Sequence, residues 1–173
     1  MNIISEKLIN FRVYDANQEI LALADVELPT LEALSETVSG AGIAGELESP
    51  TLGHYGSMKL KLKWRVIHGD LTSLATPVAH ALELRGSIQR YNASLGVYDT
   101  EAVKIVARAV PKTVNLGTFT PAKPTDSESE FEVSYLKVFV GGIPRVEIDK
   151  LNFICIINGF DYLAMVRLDL GGL

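Results

Sequence analysis

The plainest signal in the chain is an unbroken period-two alternation from Met58 to Val66. Met58, Leu60, Leu62, Trp64 and Val66 alternate with Lys59, Lys61, Lys63 and Arg65. Successive side chains on a strand point to opposite faces, so the stretch reads as a strand with one apolar and one basic face. Burying that apolar face contributes about 1.5–3 kcal/mol per large side chain. Residues 11–15 and 18–28 read as two further strands, joined by a tight turn at Ala16-Asn17 and stopped by Pro29. Over residues 30–38 two readings stay open. Leu31, Leu34 and Val38 fit a helical stripe, and an extended arm is the alternative.

Beyond the basic strand, residues 69–79 suit a short helix with Asp70 as N-cap and Pro77 at its end. Strands are predicted at 81–91 and at 102–110, the latter closed by Pro111. Residues 120–129 are polar, carry two prolines and read as a loop. Residues 131–140, 143–148 and 151–157 read as strands, with turns at Gly141-Gly142 and Asn158-Gly159. Residues 160–168 suit a last helix ended by Gly171-Gly172. Strands come in runs and do not alternate with helices. The expected fold is therefore mainly β, an antiparallel sandwich or barrel with one or two short helices. No internal repeat or long linker is visible, so residues 1–173 are expected to form a single domain with flexible segments near 39–56 and 120–129.

Composition narrows the class. Apolar residues make up 47% and charged residues 21% of the 173 residues, ordinary values for a folded domain. The formal net charge is −5, opposite in sign to a general nucleic-acid binder. The lone cysteine, Cys155, rules out an internal disulfide and sits in an apolar run, where it reads as a small buried hydrophobe. The first residues lack a basic segment followed by an apolar one, so assembly in a cytoplasm is expected. No apolar stretch approaches the ~18 residues of a membrane span, so no membrane anchor is expected.

Candidate chemistry changes this picture little. Gly40, Gly42 and Gly45 have the spacing of a dinucleotide-binding loop, but their flanks do not supply the strand and helix that such a loop needs. The basic face of Lys59, Lys61, Lys63 and Arg65 has no interleaved aromatic residue on which bases could stack, so it reads as a solvated polar strand face. Asp126, Glu128, Glu130 and Glu132 read as a wet hairpin tip in preference to a carboxylate pair. The three histidines are scattered, and no nucleophile elbow or zincin spacing appears. No metal, cofactor or catalytic residue is expected. The glycine-rich stretch, with Ile43, Leu47 and Leu52 as its few apolar residues, is the candidate assembly loop.

The last third is the distinctive part. It contains Glu147-Ile148-Asp149-Lys150-Leu151-Asn152-Phe153, then Ile157-Asn158-Gly159-Phe160-Asp161-Tyr162-Leu163, Val166-Arg167 and the closing Leu170-Gly171-Gly172-Leu173. This resembles the C-terminus of the major tail tube proteins of contractile-tailed phages and phage-tail-like particles. The motif residues are Asp149, Asn152, Asn158, Gly159, Asp161, Tyr162 and Arg167. Upstream, Val26-Glu27-Leu28-Pro29-Thr30-Leu31, the glycines through Gly45 and the Trp64 strand follow in the same order, so the resemblance runs from about residue 8 to the end. It implies a fold like that of phage and type VI secretion tube proteins. It further implies a non-enzymatic subunit of hexameric rings, stacked into a hollow tube inside a sheath and started from a baseplate or tube initiator. In a phage, DNA would pass through the lumen without sequence-specific binding, and the protein would reside in the virion tail after assembly in the bacterial host. A tube of a bacteriocin-like particle and a monomeric β-sandwich binding module are the alternatives.

Overall fold

In the computed structural model, which describes residues 2–172, one long strand organises the sheet. This strand, β9 (Ser127–Val140), pairs along one edge with β8 (Val97–Asn115). Its other edge is shared. The first half pairs with β6 (Lys59–Trp64) and the second half with β10 (Ile143–Asp149), all antiparallel. Beyond β8 lie β7 (His80–Asn92), β1 (Ile3–Asp15) and the short β2 (Gln18–Glu19). Beyond β10 lie β11 (Ile154–Ile157) and β12 (Phe160–Asp161), while β3 (Leu23–Glu27) pairs with β6. These ten strands form one sheet, and β4 (Ala33–Ser39) and β5 (Glu46–Tyr55) form a separate two-stranded one.

The split edge of β9 lets the β3–β6 wing turn back over the β1–β7–β8 sheet. The core lies between these layers and includes Val13, Leu60, Leu62, Trp64, Leu82, Leu84, Ile105, Phe131 and Ile148. Trp64 is 1% exposed, and its indole Nε1 donates to Ser129 Oγ at 3.1 Å. A buried indole N–H needs such a partner. The short helix α1 (Gly69–Leu74) adds Leu71 and Leu74 to the same core.

Several expectations from the sequence need correction. The alternation at β6 ends with Trp64. Val66 is 45% exposed, and Arg65 lies past the strand, where its backbone N–H bonds to Ala22 O and its carbonyl accepts from Thr125 N. The strand expected over 18–28 breaks after β2, where Ala22 takes a φ of +62°. The cap of α1 is His68, whose Nδ1 accepts from Asp70 N; the Asp70 carboxylate instead accepts from Leu21 N at 2.8 Å. That helix stops three residues before Pro77, which disfavours helical backbone at the residue before it.

Pro111 does not end β8. The strand passes through it with a register shift between Pro111 and Thr113, the kind of irregularity that absorbs a missing N–H. The loop expected to 129 gives way to β9 at Ser127, so Glu128, Glu130 and Glu132 stand on a strand and not at a hairpin tip. Residues 151–153 form a turn before β11. Phe160 and Asp161 are strand, so the last helix, α2 (Ala164–Asp169), is shorter than expected. The glycine-rich segment, expected to lack regular structure, forms the β4–β5 hairpin. Its tip takes up Gly40, Gly42 and Gly45 at φ of +130°, +93° and +128°. Leu173, the last residue of the quoted C-terminal run, lies outside the described residues.

Replacing Trp64 with Ala should lower stability by about 3–5 kcal/mol in chemical denaturation. Lys61→Ala, on the opposite face, should cost less than about 1 kcal/mol. Equal losses would contradict the assignment of the two faces.

Candidate assembly surfaces

The β6 lysines are neutralised where they stand. Cross-strand register sets Lys59, Lys61 and Lys63 opposite Glu132, Glu130 and Glu128 of β9. Lys61 Nζ lies 3.5–3.9 Å from carboxylate oxygens of Glu27, Glu128 and Glu130, and Lys63 Nζ is 2.5 Å from Glu27. The hydrogen bond from Lys63 lowers the Glu27 pKa, and the same bond raises that of Lys63. This face is a mixed-charge lattice between strands, leaving little net charge for a polyanion. The alternation that would have revealed it in β9 is masked by serine, because Ser127 and Ser129 occupy the buried positions.

The β4–β5 hairpin projects as an arm. Nearly all of it is exposed, including Leu34, Val38, Ile43, Leu47 and Leu52. From residue 29 to residue 57 there is no Lys or Arg, while Glu32, Glu36, Glu46 and Glu48 are all acidic. An added Cβ at Gly40, Gly42 or Gly45 would meet nothing within 4 Å, so these glycines serve the backbone of the tip and not its packing.

The C-terminal motif residues brace the segment that meets the root of this arm. Asp149 is 7% exposed, and its carboxylate accepts from the backbone N–H groups of Leu151 and Asn152 and from Asn152 Nδ2 at 2.7 Å. This fixes the β10–β11 turn as an Asx-type cap. Asn158 and Gly159, at φ of +50° and +84°, make the two-residue β11–β12 hairpin turn that an Asn-Gly pair favours. Asp161 accepts from Leu163 N and Arg167, and Arg167 also donates to Phe153 O at 2.7 Å. The Arg167 bond holds the Asp161 carboxyl below its ordinary pKa. Tyr162 bonds through its backbone N–H to Cys155 O and packs edge-on against Phe160 at 4.9 Å.

The segment so braced touches the arm at three points. Leu163 is 2% exposed and lies against Gly53, where a Cβ would come within 2.6 Å of Leu163 Cγ. Tyr55 Oη is 3.9 Å from the buried Cys155 Sγ, and Lys150 Nζ donates to Gly56 O at 2.5 Å. Lys150 and Leu163 stand in the quoted C-terminal runs but are not among the motif residues, and Gly53 and Tyr55 are not marked by the sequence; the tight approach at Gly53, at φ +65°, is visible only in the fold. In this way the motif fastens the arm to the body.

A second unforeseen feature is the face of the β1–β7–β8–β9 sheet opposite the core. Arg85 lies over the Tyr14 ring at 4.9 Å, Lys104 over Phe139 at 4.7 Å, Lys137 over Phe139 at 5.4 Å and Arg108 over Tyr135 at 6.0 Å. Burial, then the bond to Glu147, pushes the Tyr135 pKa up to about 12. The alternations Lys104, Val106, Arg108 and Tyr135, Lys137, Phe139 carry the signal in the sequence.

No three metal-ligating side chains are grouped among the described residues, and no helix is long and apolar enough to cross a membrane. The singled-out side chains cap turns, pair charges and anchor an arm, which is the construction of a structural subunit with a mainly antiparallel β fold. Comparison with known proteins gives the family. The profile of phage tail tube protein FII matches residues 5–171, and the chain belongs to that family, whose members are structural components of the virion tail. The tail tube protein of Escherichia phage P2 is 27% identical over 152 residues, covering 84% of this chain and 85% of the relative. Among solved structures, a chain of an extracellular contractile injection system, in the extended PVC sheath/tube terminator, shares the fold at a TM-score of 0.51. It is 13% identical and covers 76% of this chain and 93% of that one.

Arg167→Ala should lower stability by about 1.5–3 kcal/mol in denaturant titration, the range for hydrogen bonds to a charged group. The contribution of Asp161 is complete above its unfolded pKa near 4 and is lost as pH falls through its depressed folded value. Asp161→Asn should therefore lower stability at neutral pH and flatten the acid limb of the stability profile.

Proposed function

We propose that the protein closes edge to edge into hexameric rings that stack into the hollow inner tube of a contractile tail. The observation that carries this reading is the outer edge of β1. Among the described residues, only Tyr14 and Asp15 of that edge have strand partners, in β2. Val13 O accepts from Ile20 N and Phe11 N donates to Asn10 Oδ1, and from Ile3 to Asn10 the edge has no strand partner and is flanked by exposed Ile4, Leu8 and Ile9. An open edge of this length is a template for another strand, and a head-to-tail contact around a ring satisfies it in every subunit. Beside the edge lies a recess of about 560 Å³, lined by Leu8, Phe11, Val26, Leu28, Leu84 and Ile88 among others. That hollow suits apolar side chains of a neighbouring copy.

In this arrangement the β4–β5 arm reaches the next subunit or ring, and the core-bearing side of the sheet, with α1 and the β3–β6 wing, takes the wider outer circumference. The uncovered side then lines the lumen. A sheath would surround the tube, a baseplate or tube initiator would start it, and in a phage DNA would pass through it. The protein acts by assembly, without a catalytic step. The same geometry would serve a bacteriocin-like particle.

Concentrated protein should show rings or tubes by negative-stain electron microscopy and a matching shift in sedimentation. A strict monomer across a wide concentration range would support a β-sandwich binding module instead. Residues 39–52, beyond the anchored root, should exchange amide hydrogens fast in free subunits and slowly in tubes, since an exposed two-stranded hairpin is marginal alone. Equal protection in both states would place the assembly contacts elsewhere.

A further inference from the structure

We infer that Phe119 is a knob that enters the apolar recess beside β1 of a second copy, joining copies head to tail. Its use between stacked rings rests on the tube reading; the knob and the hole belong to the single subunit. Phe119 is 85% exposed, the most exposed large apolar side chain among the described residues. It stands in the β8–β9 connection, residues 116–126, which is bound through its backbone along its length. Gly117 N donates to Asn115 Oδ1 at 2.9 Å and Thr118 N to Thr125 O at 2.9 Å. Lys123 N donates to Thr120 O at 3.2 Å, and Thr125 N to Arg65 O at 2.8 Å. Gly117, at φ +81°, lets Thr125 O approach to where a Cβ would come within 1.9 Å. A ring held in water by a braced loop has little freedom left to lose on binding, and burying it removes about 150–250 Å² from water.

The hole lies at the opposite end of the core. Where β1 and β6 finish, α1 closes the core with Leu71 and Leu74, and the Asp70 carboxylate ties it to Leu21 N. The Phe119 loop stands at this closed end, on Arg65 O. Among the described residues, no element closes the end where β1 begins. There the recess of about 560 Å³ opens between the first half of β1, the middle of β7 and the end of β3, with Leu8, Leu28 and Ile88 in its wall. Ten residues of β8, about 33 Å of strand, separate Ile105 in that wall from Asn115 at the foot of the loop. The four further residues to Phe119 reach at most ~14 Å, so Phe119 cannot fill the recess of its own chain. A second copy displaced along the strands brings the two together. Of the charged groups in the wall, Arg85 is held by Glu83, while Glu6, Asp25 and Lys7 are in no ion pair and leave a net negative rim. Lys123, near the tip of the loop and likewise unpaired among the described residues, complements that rim. The arm, the other apolar segment on offer, would bring its glutamates against it. A knob at one end and a hole at the other make a heterologous contact that repeats without closing. One such contact is small, but all those of a ring act together, so rings stack where single subunits stay apart.

The test is cysteine cross-linking of concentrated protein under mild oxidation. Phe119→Cys and Leu28→Cys are made singly; both side chains are exposed, and thermal melts verify that the variants fold. The native Cys155 is buried and stays out of the reaction. A mixture of the two variants should give covalent dimers that neither gives alone, because a knob meets a hole and never another knob. Phe119→Ser should abolish tubes in microscopy while single rings and the melt are kept. Dimers of Leu28→Cys with Leu47→Cys of the arm, and not with Phe119→Cys, would overturn the inference. Undiminished tubes of Phe119→Ser would overturn it as well and leave the tube reading standing. A strict monomer in the wild type overturns the tube reading; in that case cross-linked dimers of the mixture sustain this contact and their absence overturns it.

Discussion

The divided edge of β9 is the constraint from which the rest of the structure follows. A strand has two edges, and β9 gives one of them to β8 along most of its length. The other edge changes partner near Val133 and Ser134, where Val133 N bonds to Met58 O and Lys150 N bonds to Ser134 O. At that point the sheet forks. One branch, β6 with β3, folds back to make the core; the other, β10 to β12, carries the chain out to the root of the arm. Had β9 kept a single partner on that edge, the sheet would have had no second layer over Leu82, Leu84 and Ile105.

The sequence makes half of this fork readable. Trp64, Leu62 and Leu60 announce the buried side of β6 because their neighbours are all basic. The matching side of β9 is silent, since Ser127 and Ser129 fill buried positions that an alternation of apolar residues would have marked. Their burial has a physical reason: Ser129 accepts the indole N–H of Trp64, and Ser127 donates to Leu116 O at 2.8 Å. Pro111 misleads in the opposite sense. It reads as a stop, yet a shift in register carries β8 past it. Strand existence was therefore legible wherever one face is aliphatic and the other charged. Strand ends, and polar residues buried for the sake of one hydrogen bond, depend on partners distant in sequence and were not. The Asn158-Gly159 turn was legible because its signal is local.

The lysines of the chain illustrate how little a basic pattern says before its partners are known. Lys59, Lys61 and Lys63 form the most conspicuous stripe in the sequence, and the fold pairs it with Glu27, Glu128 and Glu130 and sets Glu132 opposite Lys59. Lys104 and Arg108 are separated by apolar residues and look ordinary, yet the register of β7, β8 and β9 gathers them with Arg12 and Arg85 on one open face. Charge on a sheet is decided by cross-strand neighbours, which are set by pairing register and not by spacing along the chain.

The arm completes the argument, because its stability is divided between two places. Its own ladder joins only two strands and its side chains are largely in water, so little apolar burial offsets the entropy of ordering its glycine tip. At its root, Leu163 against Gly53, Tyr55 beside Cys155 and Lys150 on Gly56 O hold it to a segment braced by Asp149, Asp161 and Arg167. A rigid root with a marginal tip sets the direction in which the arm leaves the body while leaving its far end dependent on another surface. The four glutamates of the arm region, with no cation among them, oppose arm-to-arm pairing by like charge. Association through tips is thereby disfavoured, and the unpaired edge of β1 and its neighbouring recess remain the surfaces through which copies can join in an ordered way.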